Sequence, residues 1–179
     1  MTDPVSPTNK EPDPAALYRL LDAHEIRYQR YDHRAVFTCD EADGVVPEDL
    51  GAVHSKNLFL RDKRGRRHWL LVTACEKPVD LKAVARLFDA DTLSLGSPDR
   101  LWTHLRVTPG SVTILALMHD AAHAVELVID AAVWSGASLR CHPLVNTATL
   151  VLGRDQLQRF LDVTGHVPRV IDIPARGGA

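Results

Sequence analysis

Two apolar stretches joined by a charged turn constrain this 179-residue chain more than any other feature. Ser55-Lys56-Asn57-Leu58-Phe59-Leu60-Arg61 reads as one strand, and His68-Trp69-Leu70-Leu71-Val72-Thr73 reads as its return. Asp62-Lys63-Arg64-Gly65-Arg66-Arg67 lies between them, so the pattern predicts a β-hairpin with a basic tip. Neither strand is fully polar on one side. The hairpin therefore needs cover, and the rest of the chain must supply helices and further strands around it.

Those helices carry their own start signals. Asp13-Pro14 is an N-cap followed by proline at the first helical position. Leu17, Leu20, Leu21 and His24 follow at helical spacing, which predicts a helix to about Glu25. Ile26 to Tyr31 alternates as an edge strand. Thr38 and Glu41 have capping-box spacing, predicting a short helix through Ala42 that ends near Gly44. Asp80 caps a helix with Leu81, Val84, Leu87 and Phe88 inward, and Ser97-Pro98 caps another carrying Leu101 and Leu105. Pro109-Gly110 is a turn. Ser111–Leu117 and Ala124–Ile129 read as apolar strands, and Thr149–Leu152 as the last strand. Asp155 starts a final helix with Leu157, Phe160 and Leu161 inward, closed by Gly165. Strands and helices intermix without strict alternation, so the fold class is α+β, a mixed β-sheet wrapped by helices.

At 45% hydrophobic residues the chain suits one packed core. Residues 1–13 read as a disordered lead-in, 14–173 as the domain and 174–179 as a flexible tail. Net charge is −2, which argues against a general nucleic-acid coat while permitting a local basic face. No apolar run approaches a membrane span, and the expected compartment is the cytoplasm. Cys39, Cys75 and Cys141 are odd in number and widely spaced, so they suggest neither a disulfide framework nor a CxxC metal knuckle. His119 and His123 are four apart, but the metalloprotease motif needs a helix and a Glu where this segment has Asp120, so no metal is assigned.

Cys141-His142-Pro143-Leu144-Val145-Asn146-Thr147 is polar where a core strand would not be. It reads as a loop entering a strand, with Cys141 as a buried small hydrophobe rather than a partner of His142. By pattern alone Lys56 is a solvated strand-end lysine, Gly110-Ser111 a tight turn, Asn146-Thr147 turn formers, and 61–67 a solvated hairpin tip.

Four segments change that weighting when taken together. Lys56-Asn57-Leu58-Phe59-Leu60-Arg61-Asp62, Val107-Thr108-Pro109-Gly110-Ser111-Val112-Thr113, His142 to Thr149 and Gly165-His166-Val167-Pro168 occur in this order. The series resembles the YbaK/ProX family, trans-acting relatives of the editing domain inserted in bacterial prolyl-tRNA synthetases. The resemblance spans about residues 14–173 and is nearest to the ProX (PrdX-like) branch, which removes alanine from mischarged proline tRNA. It implies that editing-domain fold, no cofactor and no required metal. It implies mischarged proline tRNA as substrate, and prolyl-tRNA synthetase as a candidate partner. One position departs: the family's Gly-x-x-x-Pro loop has Ile114 in place of proline.

The implied reaction hydrolyses an ester between an amino acid and the terminal ribose. It needs a positioned water and donors for the oxyanion. On the resemblance, Lys56, Gly110 and His142 are the catalytic candidates. Lys56 would supply positive charge, backbone N–H groups around Gly110-Ser111-Val112 would hold ribose or oxyanion, and His142 would orient the aminoacyl group. Asn57, Ser111, Val112, Thr113, Asn146 and Thr147 are the substrate-binding candidates. Arg61, Lys63, Arg64, Arg66 and Arg67 are the candidate tRNA phosphate contacts. The alternatives are a deacylase for cysteinyl- or seryl-tRNA and a silent binding module.

Overall fold

A computed structural model describes residues 10–43, 46–47 and 51–177. In chain order the elements are α1 (Pro14–Ala23), β1 (Gln29–Asp32), α2 (Cys39–Asp43), β2 (Ser55–Asp62), β3 (His68–Ala74) and α3 (Leu81–Leu87). Then come β4 (Leu93–Leu95), α4 (Pro98–Leu105), a 3-10 helix (Ile114–His119), β5 (Val125–Asp130) and α5 (Ala131–Trp134). The chain closes with β6 (Ser138–Cys141), β7 (Ala148–Gly153), α6 (Arg154–Thr164) and β8 (Arg169–Ile171).

The β2–β3 hairpin is the middle of a five-stranded sheet ordered β4-β2-β3-β5-β8. β2 runs antiparallel to β3 and β4, whereas β3–β5 and β5–β8 are parallel, so the sheet is mixed. Both faces of β3 are covered. Leu70 and Val72 join the main core beneath α1, α4 and α6, while Trp69 and Leu71 pack with Val84 and Phe88 under α3. This two-sided burial explains why β3 reads as a continuous apolar run rather than an alternation. A second, three-stranded antiparallel sheet, β1-β7-β6, packs its Leu139, Leu150 and Leu152 into the same main core.

The caps work as their chemistry predicts. Asp13 accepts from the Ala16 N–H, Asp80 from those of Lys82 and Ala83, and Ser97 from that of Arg100. Thr38 accepts from the Glu41 N–H, while Glu41 reaches back to the Phe37 N–H at 2.7 Å. Gly165 closes α6 at φ 76°. Gly44, the expected end of α2, lies outside the described residues.

Several expectations fail for identifiable reasons. Ser111–Leu117 is not a strand: Thr113 caps the 3-10 helix by accepting from the Leu115 N–H, and residues 114–117 are buried on every side. A short, wholly apolar run fits a buried helix as well as a strand. β7 is not the last strand, because β8 adds a short parallel edge after α6. β4 and β6 are also strands, too short to announce themselves. Leu87 is 46% exposed rather than inward.

Described residues at both ends of the domain make specific contacts. Lys10 pairs with Asp99 on α4. Residues 174–176, expected as mobile tail, are tied to the loop before α3. The Pro174 carbonyl accepts from the Asp80 N–H at 2.9 Å, and the Arg176 N–H donates to Pro78 at 2.7 Å. Residues 1–9 and 178–179 of the two expected flexible ends lie outside the described residues.

Cys39 and Cys75 form a disulfide across 36 residues, with Cα atoms 5.9 Å apart, which corrects the reading of the cysteines. Sequence spacing hides this pair because the sheet brings them together. Cys141 is free and buried.

Candidate active site

The register of the five-stranded sheet leaves an opening. β3 pairs with β2 from Ser55 to Arg61, but β4 pairs only with Leu60 to Asp62. The outer edge of β2 before Phe59 is therefore unpaired by any described strand. A cavity of about 470 Å³ lies along this edge, within the range of small-molecule sites. Its apolar lining includes Val36, Phe37, Ala42, Leu58, Leu101 and Val112. Its polar lining includes His54, Ser55, Lys56, Asn57 and His142, and Gly110 forms part of the wall.

Lys56 is half-buried and donates from its Nζ to the Lys77 carbonyl at 2.5 Å. Burial holds its pKa below the ordinary lysine value of 10.5, with Glu76 opposing the shift. The turn that offers this carbonyl is itself pinned. Lys77 Nζ contacts Asp130 Oδ2 at 2.6 Å, and the same oxygen accepts from Thr73 Oγ1 at 3.0 Å. Asp130 is fully buried. Thr73 lies directly across from Lys56 in the hairpin, so one buried carboxylate organises the surroundings of the amine.

Asn57 follows on β2, and its Oδ1 is buried with no hydrogen-bond partner among the described residues. A buried acceptor left in this state is costly unless a ligand fills the role. Asn57 itself lines the cavity, and a small rearrangement that opened this oxygen would let an ammonium or hydroxyl donor complete it.

His142 Nδ1 lies 3.1 Å from the Ala148 carbonyl. A carbonyl only accepts, so Nδ1 carries the hydrogen and Nε2 of the neutral ring is left as an acceptor. Burial lowers the His142 pKa, which favours that neutral form; the Ala148 hydrogen bond opposes the shift, while nearby His33 and His54 add to it. The loop after His142 is bent by Leu144, a fully buried residue at φ 67°. Such a conformation costs energy for a branched side chain and persists only where packing enforces it.

Gly110 has φ 88°, and a Cβ there would lie 3.0 Å from Phe37 Cδ1. The backbone angle favours glycine, and an added Cβ would press on the aromatic ring beside it. Phe37 is 69% exposed despite this contact. The strip that carries it is held by Asn146, whose Nδ2 donates to the Val36 carbonyl at 3.0 Å and whose own carbonyl accepts from the Val36 N–H.

The structure therefore brings Lys56, Asn57, Gly110, Val112 and His142 to one cavity. It uses the other candidates to build the walls. Ser111 and Thr113 are buried, with the Ser111 N–H donating to Thr108 and Thr113 capping the 3-10 helix. Asn146 holds the Phe37 strip, and the Thr147 carbonyl accepts from the His33 N–H. Cys141 is no nucleophile: burial pushes its thiol up to about 12. Ile114, where the family pattern has proline, takes the first position of the 3-10 helix and is fully buried.

Arg61, Lys63, Arg64, Arg66 and Arg67 lie at the other end of β2, roughly 20 Å from Lys56 at strand rise. Arg61 donates to the carbonyls of Asp62 and Lys63, and Arg67 to that of Phe88 while stacking over Trp69. Lys63, Arg64 and Arg66 are exposed. Sequence reasoning misses Phe37 and His54. An isolated aromatic beside a capping box is the available signal for Phe37.

Residues 33–160 match the aminoacyl-tRNA editing domain family. Over 158 residues the chain is 32% identical to the prolyl-tRNA editing protein ProX of Acetoanaerobium sticklandii, covering 88% of this chain and 96% of that one. It is 37% identical over 157 residues to the prolyl-tRNA synthetase associated domain-containing protein 1 of Danio rerio, covering 87% and 84%. A solved structure described as a candidate trans-editing enzyme for prolyl tRNA synthetase shares the fold, with a TM-score of 0.69 at 16% identity over 96% of this chain and 100% of that one. No described helix is long and apolar enough to cross a membrane. The chain belongs to the aminoacyl-tRNA editing domain family and is a hydrolase of aminoacyl-tRNA esters.

Proposed function

We propose that the protein is a free-standing editor that removes alanine from mischarged proline tRNA. The observation that carries this reading is the meeting of Lys56, Asn57, Gly110 and His142 on one cavity of about 470 Å³. The names of the similar proteins support proline tRNA as the nucleic acid.

In this reading the aminoacyl ester enters along the open edge of β2. The Asn57 Oδ1 accepts from the substrate's ammonium, and the neutral His142 Nε2 accepts from the same group or from the attacking water. Water adds to the carbonyl carbon, and the carbonyl oxygen takes the negative charge. Lys56 faces that charge with its ammonium, while main-chain donors beside Gly110 add to the stabilisation. The Ser111 N–H is already committed to Thr108, so it is not one of those donors. Collapse breaks the bond to the ribose oxygen, which takes up the proton that the attacking water loses. The products are free amino acid and a tRNA with both terminal hydroxyls restored. The neighbouring ribose hydroxyl assists by orienting the water.

Selection follows size. Alanine is smaller than proline, so a small pocket can admit it and exclude the proline ring. Serine and cysteine are harder to reject, since one small group is worth only about 1–3 kcal/mol in an apolar pocket. Such a substrate is met in the cytoplasm, and prolyl-tRNA synthetase, which produces it, is the matching partner.

A panel of proline tRNAs charged with labelled alanine, serine, cysteine and proline tests this with enzyme well below substrate. Fast release of alanine alone is the expected result. Preferred release of cysteine or serine would reassign the substrate. Retention of every label with a gel shift would make the protein a binder.

A further inference from the structure

Three side chains beside the cavity have no part in the chemistry above. Cys39 begins α2, His54 precedes β2, and Cys75 follows β3. One ligating atom from each, the two sulfurs and an imidazole nitrogen, lie within 4.8 Å of one another. Cys39 and His54 also line the cavity. In this structure the two sulfurs are joined as a disulfide.

The placement is built by the sheet. Ser55 pairs with Ala74 at the open end of the hairpin, and the Cys75 N–H donates to the His54 carbonyl at 3.1 Å. His54 and Cys75 are thus cross-strand neighbours in a continuation of the ladder. Cys39 arrives from the other side, on a helix start fixed by the Thr38–Glu41 caps. All three side chains are half-buried, enough to be held and still be reached from solvent.

We propose that, when the cysteine pair is reduced, Cys39, Cys75 and His54 form a binding site for Zn²⁺. Two thiolates and an imidazole are the donor set that a borderline-soft divalent cation selects. At zinc bond lengths of about 2.0–2.3 Å, tetrahedral ligand atoms sit roughly 3.3–3.8 Å apart; the two bonded sulfurs must swing apart to that spacing once reduced, while all three ligand atoms start within 4.8 Å of one another. Three protein ligands leave a fourth position for water, the ligand count of zinc sites with an open coordination place. That place adjoins the cavity, since two of the ligands line it. Disulfide and metal exclude each other. Reduction by a dithiol delivers two electrons and two protons to the S–S bond. The metal then displaces both protons, because each thiol ligates as thiolate. Metal binding here does not depend on the identity of the edited amino acid.

The test uses the full chain, reduced with dithiothreitol and desalted without oxygen. Co²⁺ is the spectroscopic probe and Zn²⁺ the competitor. Binding of one Co²⁺ per chain is expected, with a thiolate-to-metal charge-transfer band in the near ultraviolet that Zn²⁺ abolishes. Cys39→Ser and Cys75→Ser should each remove or strongly weaken that band. His54→Ala should weaken binding by at least about tenfold, the lower end of what even a partner outside the ligand shell is worth. Cys141→Ser should bind as the wild type does, because that thiol is buried at the core. Reduced wild-type protein that shows its free thiols yet takes up no Co²⁺ would overturn the proposal. So would a band that persists in both Cys39→Ser and Cys75→Ser.

Discussion

At one end of β2, Lys56 is half-buried, its amine is fixed on a carbonyl, and an orphaned amide oxygen sits one residue away. At the other end, Lys63, Arg64 and Arg66 stand in water around the hairpin tip. The tip has more cations, but carboxylates stand among them. Asp62 accepts from the Arg66 and Arg67 N–H groups, which holds its carboxyl below the usual range, and Asp89 and Asp91 line the same depression. His68 at this end adds no charge near neutrality, since burial together with His104 and Arg100 lowers its pKa to about 4. One desolvated charge among preorganised dipoles does more chemistry than several exposed ones, because water screens the latter.

Replacing Lys56 by alanine should break the comparison most sharply. Loss of a preorganised donor to an oxyanion costs about 10²–10³-fold in kcat, and single-turnover deacylation reads it. The same lysine should show in the pH profile. Its pKa is lowered from 10.5, so the cation is lost as pH rises through a value below that. The enzymatic rate, after subtraction of spontaneous hydrolysis, should therefore fall on the alkaline side before an ordinary lysine would titrate. An unchanged rate in Lys56→Ala would return this residue to the status of a solvated strand-end lysine.

Asp130→Ala should come next, as a stability effect. Breaking a buried ion pair costs about 3–5 kcal/mol, and the lower end applies because Lys77 keeps 25% of its side chain exposed. Denaturant unfolding measures it. Deacylation should fall too, since the Lys77 turn that seats Lys56 loses its anchor. The milder Asp130→Asn separates the two roles, because it keeps the shape and a donor–acceptor group while removing the charge.

Gly110→Ala should cost about 1–3 kcal/mol for a left-handed backbone, with further loss of activity as the new methyl meets Phe37. Shaving the ring in a Phe37→Ala, Gly110→Ala double variant sharpens this. If crowding dominates, activity partly returns. If the backbone angle dominates, it does not.

These residues differ in how far the sequence exposes them. The hairpin, the caps at Asp13, Asp80 and Ser97, and the core faces of α1 and α6 are legible because they rest on local periodicity and turn chemistry. Lys56 and Gly110 are legible only through the order of four motifs, since each alone reads as an ordinary strand end or turn. Asp130 is not legible at all. It sits at the end of β5, 53 residues from Lys77, and only the parallel β3–β5 pairing brings the two together. The 114–119 helix is misread as a strand because burial on every side erases the difference between periods of two and 3.6. The Cys39–Cys75 pair escapes for the same non-local reason as Asp130.

The smallest effect is expected at the hairpin tip. Lys63→Ala with Arg64→Ala removes two exposed cations and should leave kcat at saturating tRNA unchanged, because the tip lies roughly 20 Å from Lys56 along the strand. What should change is binding. If both side chains meet phosphates of a single-stranded segment, the slope of log affinity against log salt falls by roughly 0.7 for each phosphate no longer neutralised. Arg61 and Arg67 are poor choices for this experiment, since both bond to main-chain carbonyls and their removal would disturb the turn itself. A double variant with an unaltered salt slope would place the tRNA on another face. One with a reduced kcat would mean that the two ends of β2 are coupled through the strand, and that separating a chemical end from a binding end is the wrong division of this molecule.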